Sequence, residues 1–200
     1  MFTIEKRRYY ADTANSETRP DLLLATSLVG PEKIAIDCGC GAGSDIAYLR
    51  AEGFTVHAFD IEEESIRICN ERFKDDSQVS LSQDSFSSFN YPKSSLVVAD
   101  ASLFFCPENE FDFVWGKIQQ SLGSGGIFCG SFLGPNDTMA SPDFDREAYW
   151  PNVLVFEEDE LRSKLKAFEI IKFTEHNVTG ETPTGTPHQW HIYSVVARKI

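Results

Sequence analysis

The sequence has no long apolar run. None of its stretches approaches the roughly 20 consecutive apolar residues that cross a bilayer. Residues 1–8 carry charges with no apolar segment behind them, which is unlike a secretory leader. We therefore expect no membrane partner and a cytoplasmic location.

Basic residues are also scarce. The chain has 18 Lys and Arg against 31 Asp and Glu, a formal net charge of −13. Proteins that bind phosphate backbones depend on clustered Lys and Arg, and the only such cluster here is residues 6–8, next to Tyr9 and Tyr10. This charge balance argues against a nucleic-acid partner and favours cationic ligands.

The number and spacing of the cysteines do not indicate a disulfide framework. The five cysteines are odd in number and fall mainly in apolar patterns, which favours reduced thiols. Cys38 and Cys40 are too close for a metal knuckle, and no second ligand pair follows, so we expect no metal site. Two hundred residues with 42% hydrophobic content suit one domain over residues 1–200, as a monomer or a homodimer.

The most informative stretch is residues 34–60. A short apolar run ends at Asp37, a glycine turn and a helical pattern follow, and a second apolar run ends at Asp60. The turn has glycines at alternating positions: Gly39, Gly41 and Gly43. This order is typical of a βαβ nucleotide-binding unit, in which Asp60 is placed to accept hydrogen bonds from both ribose hydroxyls.

The glycine spacing favours one cofactor. The dinucleotide fingerprint has its third glycine three positions after the second, where this chain has Ser44. A ligand with a ribose and no pyrophosphate fits better, which indicates S-adenosylmethionine. Two alternatives stay open: a dinucleotide-dependent oxidoreductase, and a tight turn with no ligand.

These residues resemble the class I S-adenosylmethionine-dependent methyltransferases along nearly the whole chain. Residues 37–43 are similar to their first motif and residues 59–61 to their second-strand acid. Residues 83–86 resemble the loop after strand three, residues 95–100 strand four, and residues 122–127 the turn into strand five. Residues 185–199 resemble the final strand of small-molecule members, including tellurite-resistance and thiopurine methyltransferases.

The alternation of strand and helix patterns predicts an α/β, Rossmann-like domain with helices on both faces of a mostly parallel sheet. The resemblance implies seven strands in the order 3-2-1-4-5-7-6. We expect strands five to seven at residues 127–131, 168–177 and 189–198. The last two are joined without room for a crossover helix, which predicts an antiparallel hairpin.

The resemblance also implies site residues beyond the glycine turn. Asp84, Ser85 and Phe86 follow strand three, where the family holds adenine: Asp84 accepting from its amino group, Ser85 with its backbone N–H serving a ring nitrogen, and Phe86 stacking. Ile61 is expected to pack on the same base, and Asp100 to lie near the transferred methyl group. The alternatives are an Asx turn at Asp84, a plain turn at Asp100 and an ordinary core position for Ile61.

The start of the last strand contains a second group of candidates. Alternation places His188 and Trp190 on one side and His191 on the other. Either histidine is a candidate general base, since imidazole titrates near neutrality. The alternative is a packed Trp beside solvated imidazoles. We expect residues 1–30 to cap the site and residues 133–150 to form its loop.

Together these features predict an S-adenosylmethionine-dependent methyltransferase that acts on a small-molecule acceptor by in-line transfer. The cofactor is already activated, so few catalytic motifs are needed. A non-catalytic binding module that has lost its acceptor site remains the main alternative.

Overall fold

The computed structural model describes residues 3–144, 153–182 and 185–200. Its helices and strands, in chain order, are α1 (Thr3–Thr13), α2 (Pro20–Leu28), β1 (Ile34–Cys38), α3 (Ser44–Ala51), β2 (Thr55–Asp60), α4 (Glu63–Phe73), β3 (Val79–Gln83), β4 (Ser94–Ala99), α5 (Glu108–Ser121), β5 (Leu122–Leu133), α6 (Glu158–Lys164), β6 (Phe168–Glu181) and β7 (Pro187–Lys199). Short 3₁₀ turns lie at Leu103–Phe105 and Thr138–Ala140.

The seven strands form one sheet in the order β3-β2-β1-β4-β5-β7-β6. Strands β1 to β5 pair in parallel, while β7 is antiparallel to both β5 and β6. The predicted sheet order and the terminal hairpin are confirmed. In such a sheet, ligands bind outside the carboxyl ends of the strands, where the strand order reverses. Here that point lies between β1 and β4.

Strand alternation divides the core between the two faces of the sheet. In β4, Leu96 and Val98 pack with the buried sides of α2, α3 and α4, while Val97 packs on the opposite face with α5 and α6. The second face is rich in aromatic residues around Trp115, whose indole N–H donates to the carbonyl of Lys164. Because helices cover both faces of the sheet, a ligand site is expected at the edge where the carboxyl ends of the strands lie.

Three predicted boundaries differ from the observed ones. β5 begins at Leu122 because an isolated pairing with Ser94 adds the glycine-rich stretch to the strand. β6 and β7 pair over their whole length, so that β7 begins at Pro187 and contains His188. The apolar spacing of residues 16–29 predicts a helix over that range, whereas α2 begins at Pro20, a residue whose fixed φ suits the first helical position.

Parts of the N-terminal segment and of the expected loop form helices, a strand end and a 3₁₀ turn. The predicted cap over residues 1–30 consists, from residue 3 on, of the helices α1 and α2. Within the expected loop of residues 133–150, Leu133 belongs to β5 and a 3₁₀ turn follows at Thr138–Ala140. Residues 145–150, Trp150 included, lie outside the described residues. No helix among the described residues is long and apolar enough to cross a membrane.

Candidate active site

The glycine turn that joins β1 to α3 lies at the carboxyl edge of the sheet. Its three alternating glycines all have positive φ, between 51° and 79°, which L side chains rarely adopt. The N–H groups of Gly39 and Cys40 donate to the carbonyl of Phe59, at 2.9 and 3.0 Å. The turn is therefore fixed to the end of β2.

The three glycines differ in what a side chain would meet. A Cβ at Gly39 would lie 2.7 Å from the Cβ of Ser102, and one at Gly43 would lie 2.8 Å from the Phe73 ring. A Cβ at Gly41 would meet nothing within 4 Å. Three alternating glycines predict one open loop against which a ligand can lie flat. The structure refines this prediction: two of the glycines are needed for packing, and Gly41 borders open space.

Asp60 connects the glycine turn to the end of β2. Its Oδ2 accepts from the N–H of Gly41, and its Oδ1 accepts from the N–H of Glu62, both at 2.9 Å. The carbonyl of Gly41 in turn accepts from the Ser65 hydroxyl at 2.6 Å. Each carboxylate oxygen has a further lone pair, so Asp60 braces the turn and can still accept from a ligand.

Asp37, at the end of β1, is a buried carboxylate without a full set of partners. Among the described residues, no donor reaches its Oδ2. Burial raises the pKa of this carboxyl well above its usual range, and the neighbouring Asp45 raises it further. An unpaired buried acid is costly for the fold unless a cation or a donor satisfies it. Although Arg19 lies near enough to lower the pKa of Asp37 in part, Oδ2 has no partner within the described part of the chain, and a cation or donor on a ligand can supply one.

Asp100, at the end of β4, forms an ion pair with Arg19, which precedes α2. The same guanidinium donates to Asp45 at 2.9 Å, so one arginine bridges two acids. Ala101 has a φ of 46° and its N–H donates to the Ser131 hydroxyl at 2.8 Å. A non-glycine residue in this conformation is strained, and here it fixes the backbone beside Asp100. An acid held by arginine is poorly suited to take a proton.

The predicted adenine group lies after β3. The Ser88 hydroxyl donates to Asp84 Oδ1 at 2.8 Å, and the N–H of Ser85 donates to the Ser88 hydroxyl at 2.9 Å. The amide that we expected to serve a ring nitrogen is therefore bound within the turn. The Phe86 ring meets Phe59 edge-on, with 5.5 Å between centroids.

Ile61 follows Asp60 and is 57% exposed. The alternative that it is an ordinary core residue is therefore wrong. A large apolar side chain that faces outward beside Asp60 is available to cover an aromatic group.

α1 lies beside Asp60. Tyr10 is buried, and its pKa is raised first by burial and then by the negative charge of Asp60. The pKa of Tyr9 is raised by the same two causes. The N-terminal helix thus covers the part of the site that contains the ribose-binding candidate.

His188 and His191 are both buried, so the alternative of solvated imidazoles is wrong. The His188 and Trp190 rings are 3.9 Å apart, as expected for side chains on one side of the strand. Both histidines contact Asp137, a buried acid that follows β5 and that sequence reasoning missed. An acid close after a sheet strand was the only available signal.

The two ring nitrogens of His191 both have partners. Its Nδ1 accepts from the N–H of Asn136 at 3.0 Å, which requires that Nε2 carry the proton and donate to Glu175 Oε1 at 2.9 Å. A Cβ at Gly134 would lie 2.5 Å from the same ring. With its lone pair used, His191 holds the segment after β5 and is not available as a base.

Comparisons with known proteins agree with this geometry. Residues 35–126 match the family model described as "Methyltransferase domain". Among solved structures, TehB from Haemophilus influenzae is 19% identical with a TM-score of 0.76, covering 98% of this chain and 67% of that one. A Burkholderia thailandensis 1,6-didemethyltoxoflavin-N1-methyltransferase is 19% identical, with a TM-score of 0.70 and coverages of 98% and 83%.

The N-methyltransferase NodS from Bradyrhizobium japonicum, solved with S-adenosyl-L-homocysteine, is 15% identical. Its TM-score is 0.69, and the match covers 98% of this chain and 97% of that one. No curated protein matches the sequence. At these identities the structural matches show a common fold.

Proposed function

We propose that the protein is a class I methyltransferase that transfers a methyl group from S-adenosylmethionine to a small-molecule acceptor, because residues 35–126 match the methyltransferase-domain model and the fold is shared with solved methyltransferases. One observation carries the proposal. Asp37, buried and unpaired at Oδ2, lies at the root of a turn whose Gly41 borders open space. A ligand that brings a cation and lies flat on the turn satisfies both features.

The residues at the edge of the sheet fit the parts of this cofactor. Asp37 would bind the ammonium of its methionine part, and Asp60 would accept from its ribose hydroxyls. Ile61 and Phe86 would enclose the adenine, with Asp84 accepting from the amino group. When bound, the cofactor supplies a methyl group on a sulfonium, which is already an activated leaving group.

The protein's own task is then to position the two reactants and to exclude water. Holding two reactants in line contributes on the order of 7–11 kcal/mol to a barrier. The paired Arg19 and Asp100 stiffen the edge beside the ends of β1 and β4, and α1 covers Asp60. We propose that α1 and the segment after β5 close over the reacting groups, as lids do in other enzymes.

Two observations support a small acceptor. The formal net charge of −13 disfavours a nucleic-acid acceptor, and one relative in fold was solved with bound 1,6-didemethyltoxoflavin. A negative field attracts the sulfonium and cationic acceptors alike.

A transfer assay tests the proposal. The full chain is incubated with S-adenosylmethionine that carries a labelled methyl group, together with a panel of phenols, amines, heterocycles and thiols. We expect label in a small product and formation of S-adenosylhomocysteine in equal amount. Tight binding of S-adenosylhomocysteine with no acceptor methylated would favour a non-catalytic binding module. Binding of NAD in its place would contradict the proposal.

A further inference from the structure

Asp137 and His188 form a buried pair on the acceptor side of the site. Asp137 follows β5 and its side chain is fully shielded from solvent, while His188 is the second residue of β7. The His188 Nε2 lies 3.0 Å from Asp137 Oδ1. The two residues are 51 positions apart in the chain, so the sheet brings them together.

The surroundings of Asp137 determine which ring nitrogen of His188 carries the proton. Besides His188, the N–H groups of Met139 and His191 both donate to this carboxylate, at 2.9 Å. An ionised carboxylate only accepts. The Nε2 of His188 must therefore donate, and its Nδ1 has a lone pair whenever the ring is neutral.

That lone pair distinguishes His188 from His191. In His191, Nδ1 accepts from Asn136. In His188, no described residue contacts Nδ1 within hydrogen-bond distance. Of the two imidazoles at this edge, the described part of the chain leaves His188 able to take a proton.

The pair lies at the carboxyl edge of the sheet, beside the part of that edge that contains the glycine turn and Asp100. β5 neighbours β4, whose end contains Asp100, and Leu133 at the end of β5 pairs with Ile192 in β7. His188 therefore lies beyond the end of β5, on the carboxyl side of the sheet, where ligands bind in sheets of this kind. The ring packs on Trp190, with 3.9 Å between centroids, which fixes its plane.

The charged groups around His188 are few. Asp137 faces it from the segment after β5, and its cross-strand neighbour in β6 is Gly180, which has no side chain. Glu175 on β6 contacts His191 instead. Among the described residues, Asp137 is thus the charged group that contacts His188.

We propose that His188 is the general base for methyl transfer and that Asp137 is its positioning residue, which assigns the acceptor to nucleophiles that arrive protonated: hydroxyl groups, phenols or amines. This inference rests on the proposed function. The acceptor's O–H or N–H bond breaks, and its proton goes to Nδ1 of His188. The freed electron pair forms the bond to the methyl carbon, the carbon–sulfur bond breaks toward sulfur, and water later removes the proton from the imidazolium.

Nitrogen NMR on protein with labelled histidine tests the pair without turnover. His188→Gln, which keeps an amide donor toward Asp137, identifies the His188 signals among the four histidines. We expect a neutral ring protonated at Nε2 in the full chain. Asp137→Asn can present an N–H to Nε2 and should move the proton to Nδ1. A wild-type ring protonated at Nδ1 would overturn the proposal.

Transfer kinetics test the substrate class. With a phenolic acceptor, His188→Gln should lower kcat by about 100-fold or more, the usual contribution of a general base, and the loss should shrink at a pH where the phenol ionises. With 4-nitrothiophenol, which is ionised at neutral pH, the loss should stay below about threefold. His176→Gln, at an exposed position on β6, is the matched control.

Equal losses with both acceptors, or methylation of the thiolate alone, would overturn the assignment. The affinity for S-adenosylhomocysteine, measured by calorimetry on the same variants, should not change. If wild-type protein fails to bind that ligand, the proposed function itself fails, whereas the NMR result on His188 stands or falls separately.

Discussion

The backbone N–H of Gly41 donates to Asp60 Oδ2 over 2.9 Å, so that the glycine turn and the acid at the end of β2 form one rigid unit. This relationship gives Asp60 two tasks. It orients the peptide that borders the open space, and it keeps lone pairs for a ligand. A variant at this position therefore has to separate loss of the brace from loss of the ligand contact.

Asp60→Asn keeps the bond to the glycine turn, since the amide oxygen can still accept from the N–H of Gly41, and gives up only the bond from the N–H of Glu62. We expect the affinity for S-adenosylhomocysteine to fall by roughly 1.5–3 kcal/mol, the scale of hydrogen bonds to charged groups. Isothermal calorimetry measures the change. Asp75→Asn, at an exposed acid, is the control and should bind as the wild type does. Unchanged affinity in folded Asp60→Asn would remove the ribose role.

Three glycine variants separate ligand contact from packing. Gly41→Ala should keep most of the stability but lose about tenfold or more in cofactor affinity, about 1.4 kcal/mol per tenfold, because its Cβ enters open space at the turn. Gly39→Ala should destabilise the fold, because its Cβ would clash with Ser102.

Gly53→Ala is the matched control, since Gly53 also has positive φ and free space around it but lies after α3, away from the turn. Gly53→Ala should be destabilised by positive φ to the same extent as Gly41→Ala and should bind the cofactor normally. Chemical denaturation and calorimetry on all three variants give both quantities. Equal binding losses in Gly41→Ala and Gly53→Ala would show that Gly41 does not border the cofactor.

The raised pKa of Asp37 predicts that the stability of the protein falls as pH rises. Its pKa is raised in the folded chain above the ordinary 3.8, chiefly by burial. Above that ordinary value the folded state then binds more protons than the unfolded state, so the free energy of unfolding falls as pH rises. Asp37→Asn should remove this fall, be more stable than wild type near neutral pH, and bind cofactor more weakly.

Denaturant unfolding of both proteins between pH 4 and 8 measures this effect. Saturating S-adenosylhomocysteine should cancel the difference by pairing the carboxylate. Parallel pH profiles for the two proteins would contradict a strained Asp37.

His191 is predicted to act on stability. Removing its ring in His191→Ala leaves the Asn136 N–H and the Glu175 carboxylate without partners and opens a cavity beside Gly134. We expect a loss of about 2–4 kcal/mol in the free energy of unfolding, with cofactor affinity unchanged. His176→Ala should change neither. Urea denaturation measures the free energy of unfolding. A His191→Ala variant that is fully stable but turns over slowly would contradict this prediction and make His191 a candidate base again.

The N-terminal helix is predicted to act as a lid. Deleting residues 1–15 should leave cofactor affinity within a few-fold and lower methyl transfer strongly, because alignment and water exclusion need closure. Hydrogen exchange tests the same idea: S-adenosylhomocysteine should protect residues 1–19. Protection confined to residues 39–60 would mean that α1 does not close over the site.

Local chemistry made the geometry of the glycine turn predictable. The glycine turn, Asp37 and Asp60 lie within 27 residues, where positive φ, strand alternation and the start of a helix each leave a mark in the sequence. The terminal hairpin was also predictable, since residues 168–198 leave no room for a crossover helix.

The region beyond the ends of β4 and β5 depends on contacts between distant segments. Asp137 meets His188 across 51 positions, and the Arg19 pair with Asp100 joins the start of α2 to the end of β4. Nothing local in either sequence segment encodes such pairs. The extension of β5 to Leu122 has the same cause, since pairing with Ser94 prevails over the weak strand propensity of glycine.

The most direct test of the central claim is calorimetric titration of the full chain with S-adenosylhomocysteine and, separately, with NAD. The geometry of Gly41, Asp37 and Asp60 predicts one molecule of S-adenosylhomocysteine bound per chain and no measurable binding of NAD, with the first signal weakened about tenfold or more in Gly41→Ala. Binding of NAD, or equal binding of S-adenosylhomocysteine by wild type and Gly41→Ala, would contradict the account.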